Sequence, residues 1–273
     1  MSAPDPAVTS VLITNDDGID APGLEVLEAV AATLAREVWV VAPEHDQSGV
    51  SHSISLHTPL RVRRRGAHRF GVSGTPADCV IVGLRQVMPV PPDLVLSGIN
   101  RGANLGVETV FSGTVGGAMT GLLLGVPSIA LSQAFSDREA VRWDTARQLA
   151  PWVIRTLLEA DWAYAACLNV NFPDVPADRA GPLTVTRQGQ GLMKGVDVTM
   201  RLDPRGLEYG WLSITRGEST DAIGSETEVV GAGGIAVTPL QFERTAELVR
   251  SKLTEGLARK NLTSYPGISL RLH

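Results

Sequence analysis

Two adjacent carboxylates, Asp16 and Asp17, are the first side chains whose position suggests chemistry, because they lie in the NDDG turn at the end of the apolar run VLIT. Neighbouring like charges raise the cost of ionising one another, so the pair needs a cation or free access to solvent. Ser48, in HDQSG, and Asn100, in SGIN, offer a hydroxyl and an amide oxygen after two other apolar runs. Oxygen ligands without clustered Cys or His favour Mg²⁺, Mn²⁺ or Ca²⁺ over Zn²⁺. An isolated acidic pair is more often a solvated turn, but the matching positions of the three loops favour a metal site.

The second candidate is a phosphate-binding segment. Ser112, Gly113 and Thr114 precede VGGAMTGLLLG, which predicts an apolar helix of small residues. The first turn of a helix presents free N–H groups and a positive dipole to an anion, and Ser and Thr add hydroxyl donors. Asn104, in NRGANLG, could add an amide donor. A capped helix with glycines for close packing explains the segment equally well, and this alternative stays open. The segment lacks the lysine of a P-loop, and the sequence contains no GxGxxG fingerprint.

The elements that must position these side chains are short apolar strands separated by helical segments. The strand-like runs are VLIT (11–14), VWVVAP (38–43), DLVLSG (93–98) and VPSIALS (126–132). Runs that are apolar throughout are typical of parallel strands covered on both faces. The sequence therefore predicts an α/β fold with a doubly wound, mostly parallel, Rossmann-like sheet over residues 1–180. Ligands of such sheets bind outside the carboxyl ends of the strands, where all the polar loops above would lie.

Helix signals occur at three places in this first part. Asp20 is placed to cap a helix that has Pro22 in its first turn, and Thr75 is placed to cap another that begins at Pro76. Residues 138–159 have the apolar spacing of a long amphipathic helix.

After about residue 180 the pattern changes to alternating segments separated by Gly, Asp and Pro. This predicts antiparallel hairpins, followed by a closing helix over residues 242–257. We therefore expect residues 181–273 to form a β-arm and C-terminal helix that serve oligomerisation.

Composition narrows the class of protein. The chain has 273 residues, 44% of them hydrophobic, and a net charge of −5. It therefore lacks the overall positive charge that would indicate a duplex nucleic acid or a membrane as partner. The run RVRRRGAHRF is typical of the solvated side of a strand, with a polyanion site as the less favoured alternative. Two cysteines in apolar runs indicate buried thiols. The first ten residues lack the features of a signal peptide, so we expect a soluble cytoplasmic protein.

The ordered motifs resemble those of one known family. They are ITNDDGIDAPGL, VAPEHDQSGVSHSISL, GTPADCV, PDLVLSGINRGANLG, FSGTVGGAMTGLLLGVPSIALS and ITRGESTDAIGSETEVVGAGGIAVTPL. Together, from Val11 to Leu240, they resemble the SurE (survival protein E) family. The resemblance implies a divalent-metal-dependent nucleotidase that hydrolyses nucleoside 5′- and 3′-monophosphates, with some members acting on short polyphosphate. It also implies one metal ion per subunit, Mg or Mn, and a homodimer or homotetramer that exchanges its arms.

The resemblance further implies roles for particular residues. The implied metal ligands are Asp16, Asp17, Ser48 and Asn100, of which the two aspartates are also the expected catalytic residues. The implied phosphate-binding residues are Asn104, Ser112, Gly113 and Thr114. The sequence departs from the family pattern at Phe111, where tyrosine is commoner, and at Gly116, Gly117 and Thr120, which replace an alanine pair and a glutamate.

The expected reaction is hydrolysis of a phosphomonoester by in-line attack. Attack by water and an aspartyl-phosphate formed on Asp16 both fit the sequence. Two other classes of protein also stay open: a non-catalytic nucleotide or metal sensor, and a metal-dependent glycosyltransferase. Neither alternative would release phosphate from a nucleoside monophosphate.

Overall fold

A computed structural model describes residues 5–259, 264–265 and 268–269 of the chain. It divides into two compact units, Met1–Leu240 and Gln241–His273.

The main unit is built on a nine-stranded mixed sheet. Its strands are β1 (Val8–Thr14), β2 (Ala35–Pro43), β3 (Val62–Arg64), β4 (Arg69–Val72), β5 (Leu94–Arg101), β6 (Ser128–Gln133), β7 (Cys167–Phe172), β8 (Leu183–Val185) and, after a separate hairpin, β11 (Ile235–Leu240). Their order across the sheet is β3-β4-β2-β1-β5-β6-β7-β11-β8. All neighbours pair in parallel except β3 with β4 and β7 with β11. The predicted strands are thus confirmed, and the carboxyl ends of β1, β2, β5 and β6 share one edge.

Helices cover both faces of this sheet. They are α1 (Pro22–Ala31), α2 (Pro76–Val82), α3 (Gly113–Leu123), α4 (Trp143–Leu158) and α5 (Glu226–Gly231), with a π-helical turn at Gly83–Val87 and 3-10 turns at Gly106–Val110 and Ala177–Arg179. Alternation along β1 shows the two layers: Ile13 packs in the core with α1 and α4, whereas Leu12 packs in the core with α2. Since successive strand residues point to opposite faces, a strand covered on both must be apolar throughout. The doubly wound α/β prediction is confirmed.

Two helix starts differ from those predicted. Thr75 caps α2 as expected: its hydroxyl accepts the N–H of Asp78, and the Asp78 carboxylate accepts the N–H of Thr75. The prediction for Asp20 was wrong, because α1 is capped by Ala21 without a side-chain bond. The predicted helix over 138–159 begins only at Trp143, which leaves residues 134–142 as a loop at the carboxyl edge.

Beyond residue 180 the chain contributes both to the sheet and to a hairpin. Strands β8 and β11 belong to the main sheet and pair in parallel, whereas an antiparallel hairpin was expected. The sheet therefore extends past residue 180, where the sequence predicted the arm to begin. The antiparallel hairpin consists of β9 (Met193–Leu202) and β10 (Glu208–Arg216). Its role in oligomerisation stays a prediction.

The second unit contains α6 (Glu247–Arg259) and the short antiparallel pair β12 (Ser264–Tyr265) and β13 (Ile268–Ser269). The closing helix is present but begins at Glu247, later than the predicted residue 242. Across the parts of the chain that the structure describes, no helix combines the length and apolar character needed to cross a membrane.

Candidate active site at the carboxyl edge of the sheet

Asp16 lies buried between the end of β1 and the first turn of α3, with 4% of its surface exposed. Its Oδ1 atom accepts a hydrogen bond of 2.5 Å from the hydroxyl of Thr114. A side chain at Gly113 would place a Cβ atom 2.8 Å from the Asp16 Cβ, so only glycine allows this approach. A carboxylate at a helix N-terminus is favourable because the free N–H groups carry positive partial charge.

The burial of the acidic pair has an electrostatic cost. The pKa of Asp16 is raised from 3.8 to about 6, because desolvation and, to a smaller extent, the charge of Asp17 outweigh the hydrogen bond from Thr114. Desolvation also raises the pKa of Asp17, although its Oδ2 accepts the backbone N–H of Arg101 at 3.1 Å. Two carboxylates whose ionisation is penalised in this way are stabilised by a cation.

The loop after β2 and the last residues of β5 bring the other two metal-ligand candidates to the same edge. The N–H of Gln47 donates to the backbone oxygen of Asp16 at 2.7 Å, which ties the β2 loop to the end of β1. In that loop the N–H of Ser48 donates to Asp46 Oδ1 at 2.8 Å. At the end of β5, the amide nitrogen of Asn100 donates to the backbone oxygen of Gly102 at 2.8 Å. This bond uses the nitrogen and leaves the amide oxygen as the acceptor.

Five of the eight predicted site residues line a single cavity of about 800 Å³. They are Asp16, Ser48, Asn100, Asn104 and Ser112. Asp17 instead lines an adjoining cavity of about 520 Å³, and Arg101 and Arg138 line both cavities. Gly113 and Thr114 line neither cavity, but both contact Asp16. The structure therefore gathers the predicted site at one edge, with Asp17 on one side and Thr114 on the other.

Asn104 is held in place by hydrogen bonds to three buried side chains, those of Asn169, Asn171 and Ser132, none of which was a predicted site residue. Its backbone N–H donates to Asn171 Oδ1 at 2.8 Å, and its backbone oxygen accepts the amide groups of Asn169 at 2.9 Å and of Asn171 at 3.1 Å. Its own amide donates to the hydroxyl of Ser132 at 2.8 Å. The signal was present: CLNVNF places two asparagines on the same face of an otherwise apolar strand, and buried amides need partners.

The first turn of α3 is partly occupied by protein contacts. Ser112 caps the helix, since its hydroxyl accepts the N–H of Val115 at 3.1 Å. The Thr114 hydroxyl is engaged with Asp16, so it orients the carboxylate directly. The capped-helix interpretation is therefore correct for Ser112, and it leaves room for a phosphate role because Ser112 also lines the cavity.

The donor chemistry fits a hard divalent cation. Among the described residues, no group of three or more His, Cys, Asp and Glu side chains could hold a metal ion. The set at this edge is different: two carboxylates, a hydroxyl and an amide oxygen, which are the oxygen ligands that Mg²⁺ and Mn²⁺ prefer. Asp16 is buried beside Asp17, and the pKa of both carboxyl groups is raised. A cation bound between them would offset the cost of ionising both groups.

Cationic and aromatic side chains complete the larger cavity. Arg101, Arg138 and Arg216 supply positive charge, and Phe111 and Phe135 supply ring surface. These types suit a ligand that is anionic at one end and flat and apolar at the other. The apolar spacing predicted Arg138 to lie in a helix, but it lies in the loop before α4, in the wall of the cavity.

Comparisons with known proteins agree on one family. The family model Survival protein SurE matches residues 11–195. The protein named 5′-nucleotidase SurE 1 from Burkholderia lata is 59% identical over 253 residues, which cover 92% of this chain and 98% of that protein. The 5′-nucleotidase SurE of Paramagnetospirillum magneticum is 49% identical over 242 residues, covering 88% and 93%. The crystal structure of the SurE protein from Aquifex aeolicus matches with a TM-score of 0.77 and 35% identity, covering 90% of this chain and 98% of that one. Because the family model spans most of the chain and the relatives are matched along nearly their whole length, the chain belongs to the SurE family.

Proposed function

We propose that this protein is a divalent-metal-dependent phosphomonoesterase that hydrolyses nucleoside 5′- and 3′-monophosphates to nucleoside and phosphate. Family membership and the names of the relatives, which are 5′-nucleotidases, support the reaction class. The observation that carries the proposal is the single cavity that Asp16, Ser48 and Asn100 line together with Asn104 and Ser112. A metal site and a phosphate site would then share one wall.

The metal site consists of Asp16, Asp17, Ser48 and Asn100, which would hold one ion per subunit, Mg or Mn. When bound, such an ion polarises the phosphoryl oxygens and offsets negative charge in the transition state. The protein contributes the fixed positions of the donors: the Asp16 carboxylate is oriented by the Thr114 hydroxyl, and the Asp17 carboxylate by the Arg101 backbone.

The phosphate site consists of Asn104, Ser112, Gly113 and Thr114. The first turn of α3 gives positive partial charge, and the four hydrogen bonds that fix Asn104 keep the loop in place when an anion arrives. Arg101 and Arg138 border the same space and can neutralise phosphate oxygens that face away from the helix.

The reaction forms a bond between an incoming oxygen and phosphorus while the bond to the nucleoside oxygen breaks. With water as the nucleophile, an aspartate accepts its proton, and the nucleoside leaves with a proton on its released hydroxyl. With Asp16 as the nucleophile, an aspartyl-phosphate forms and a second in-line step with water releases phosphate. The configuration at phosphorus separates the two routes, because one in-line step inverts it and two in-line steps retain it. A substrate made chiral at phosphorus with oxygen isotopes and sulfur reads the outcome.

Phosphate release from a panel of nucleoside monophosphates, with Mn²⁺ and then with a chelator, tests the proposal. We expect release that the chelator abolishes and that added Mn²⁺ or Mg²⁺ restores. Nucleotide binding without release would instead favour a sensor. Release only from a nucleotide sugar in the presence of an acceptor would favour a glycosyltransferase.

The proposed assembly is a homodimer or homotetramer formed through the β9–β10 hairpin. Its strands expose apolar side chains that a lone two-stranded hairpin cannot bury. These are Val196, Val198, Met200, Leu202, Tyr209, Trp211, Leu212 and Ile214. Light scattering should give an oligomer for the wild type and a smaller species for Leu212→Glu, which pairs with Val198 on the apolar face of the hairpin. Thr199→Glu, on the opposite face, is the control. A monomeric wild type would exclude the assembly.

The free, buried thiols Cys79 and Cys167 support a cytoplasmic location, where thiols stay reduced.

A further inference from the structure

We propose that Glu226 is a positioning residue for the phosphate site, since its buried carboxylate holds the loop that carries Asn104. The inference rests on the proposed function, because it takes Asn104 as part of the phosphate site. Nothing in the sequence motifs distinguished Glu226 from its neighbours in GSETEVV.

The carboxylate of Glu226 joins two distant segments of the chain. Glu226 begins α5 and is completely buried. Its Oε1 accepts the backbone N–H of Gly106 at 2.7 Å, and its Oε2 accepts the backbone N–H of Gly189 at 2.8 Å. Among the described residues no Arg or Lys pairs with this carboxylate. A buried charge that is compensated by backbone donors is costly unless both oxygens are used, as they are here.

The two segments joined by Glu226 are in direct contact. A Cβ atom at Gly106 would lie 2.2 Å from the backbone nitrogen of Gly191, so no side chain fits between the backbones. Gln188 adds a second link, because its amide donates to the Gly106 oxygen and to the Thr109 hydroxyl, each at 2.8 Å. The crossing is therefore fixed both by close packing and by hydrogen bonds.

A neighbouring carboxylate and an ion pair strengthen the same connection. Asp221 accepts the N–H of Gln190 at 2.7 Å and that of Gly191 at 3.0 Å, which shapes the turn leading into β9. At the same base of the hairpin, where Arg216 pairs with Met193, Arg216 Nη2 lies 2.5 Å from Oε2 of Glu108, in the 3-10 turn that begins at Gly106. The base of the hairpin is thus tied to the segment 106–110.

The position of Asn104 follows from these contacts. Asn104 lies two residues before Gly106, and Ser112 follows the 3-10 turn that begins there. The asparagines of β7 hold Asn104 on one side, and Glu226 holds Gly106 on the other. Without Glu226 the loop loses the buried acceptor that holds the N–H of Gly106, so the donors of the phosphate site are held less firmly at their spacing.

The test compares Glu226→Gln with the matched control Glu228→Gln, in the same helix but exposed and bonded only to the N–H of Gly224 at 3.3 Å. Glutamine keeps the size of the side chain but turns an NH₂ group toward one backbone donor. We expect Glu226→Gln to raise the KM for a nucleoside monophosphate and the inhibition constant for inorganic phosphate about tenfold. We expect kcat to change less, and the control to behave as wild type. Direct titration with inorganic phosphate by calorimetry gives a readout that does not depend on turnover.

A second variant, Gln188→Ala, removes two bonds to the same loop from an exposed side chain and decides the matter if Glu226→Gln does not fold. It should raise the KM and the phosphate inhibition constant about threefold. Wild-type phosphate affinity in Gln188→Ala and in any folded Glu226→Gln would overturn the inference. A variant whose folded molecules have wild-type KM and phosphate affinity, and in which only the amount of active enzyme is reduced, would overturn it too. If the proposed function is wrong, the wild type itself releases no phosphate from nucleoside monophosphates. Calorimetric titration of wild type and variant with inorganic phosphate still tests the role of Glu226 in that case.

Discussion

The hydroxyl of Thr114 donates to Asp16 Oδ1 across 2.5 Å, which joins the end of β1 to the first turn of α3. The donor of this bond belongs to the proposed phosphate site, and the acceptor is a proposed metal ligand. A change at either residue should therefore affect both, and the variants below are chosen to separate the effects.

Asp16→Asn should abolish phosphate release while leaving the fold intact. The amide keeps the shape of the side chain but removes the ligand charge, so we expect kcat/KM to fall by at least about a thousandfold. Circular dichroism and metal-binding calorimetry should show a folded protein with weakened Mn²⁺ binding. Asp161→Asn, an exposed acid in another loop, is the control. Full activity with unchanged metal binding would remove Asp16 from the mechanism.

Thr114→Val should lower kcat/KM about tenfold to a hundredfold, because the isosteric side chain no longer orients Asp16. Thr114→Ser keeps the hydroxyl and should restore most of the activity. Thr120→Val is the matched control, since its hydroxyl donates only to Gly116 in the same helix. Steady-state kinetics of the three variants test the role of the bond, and equal losses in the valine and serine variants would assign the effect to packing.

Asn171→Ala should destabilise the protein by about 1–3 kcal/mol, because Asn104 loses partners for its buried N–H and for its backbone oxygen. The same change should raise the KM, since the phosphate loop loses its attachment to β7. Urea unfolding and steady-state kinetics measure the two effects. Asn171→Asp keeps the acceptor for Asn104 N–H, and a result identical to alanine would show that this acceptor does not matter.

The stability of wild type relative to Glu226→Gln should fall as pH rises. Desolvation raises the pKa of Glu226 above 4.5 and nearby Asp221 adds to the effect, against the hydrogen bonds from Gly106 and Gly189. Folding therefore favours the protonated form, and this contribution is complete below the unfolded pKa and lost as pH rises through the folded pKa. Urea unfolding of both proteins between about pH 4 and pH 7 measures the difference. A difference that grows with pH would contradict the assignment.

Much of the fold followed from the sequence because the relevant signals are local. Apolar runs predicted β1, β2, β5 and β6, and the Thr75 capping box predicted the start of α2. The start of α4 was missed because the apolar spacing over 138–159 does not show where the carboxyl-edge loop ends. The pairing of β8 with β11 was missed because a three-residue strand carries no sign of its partner's direction.

The candidate site was predictable to a similar extent. Asp16, Ser48 and Asn100 were predicted to lie together because each comes at or after the carboxyl end of an apolar run, and parallel strands bring these ends together. Glu226 was not found, because its function depends on the crossing of Gly106 and Gly191, which lie far apart in the sequence. The direct bond between Thr114 and Asp16 was likewise invisible before the helix was placed against the strand.

The two outer strands of the main sheet offer little surface for pairing with a strand of another copy. β3 has three residues, two of them arginines, and β8 has three residues. A strand approaching from another molecule would find guanidinium groups at one border and few unpaired amides at the other. Aggregation by strand pairing at the sheet edges is therefore disfavoured, whereas the apolar surface of the β9–β10 hairpin remains exposed.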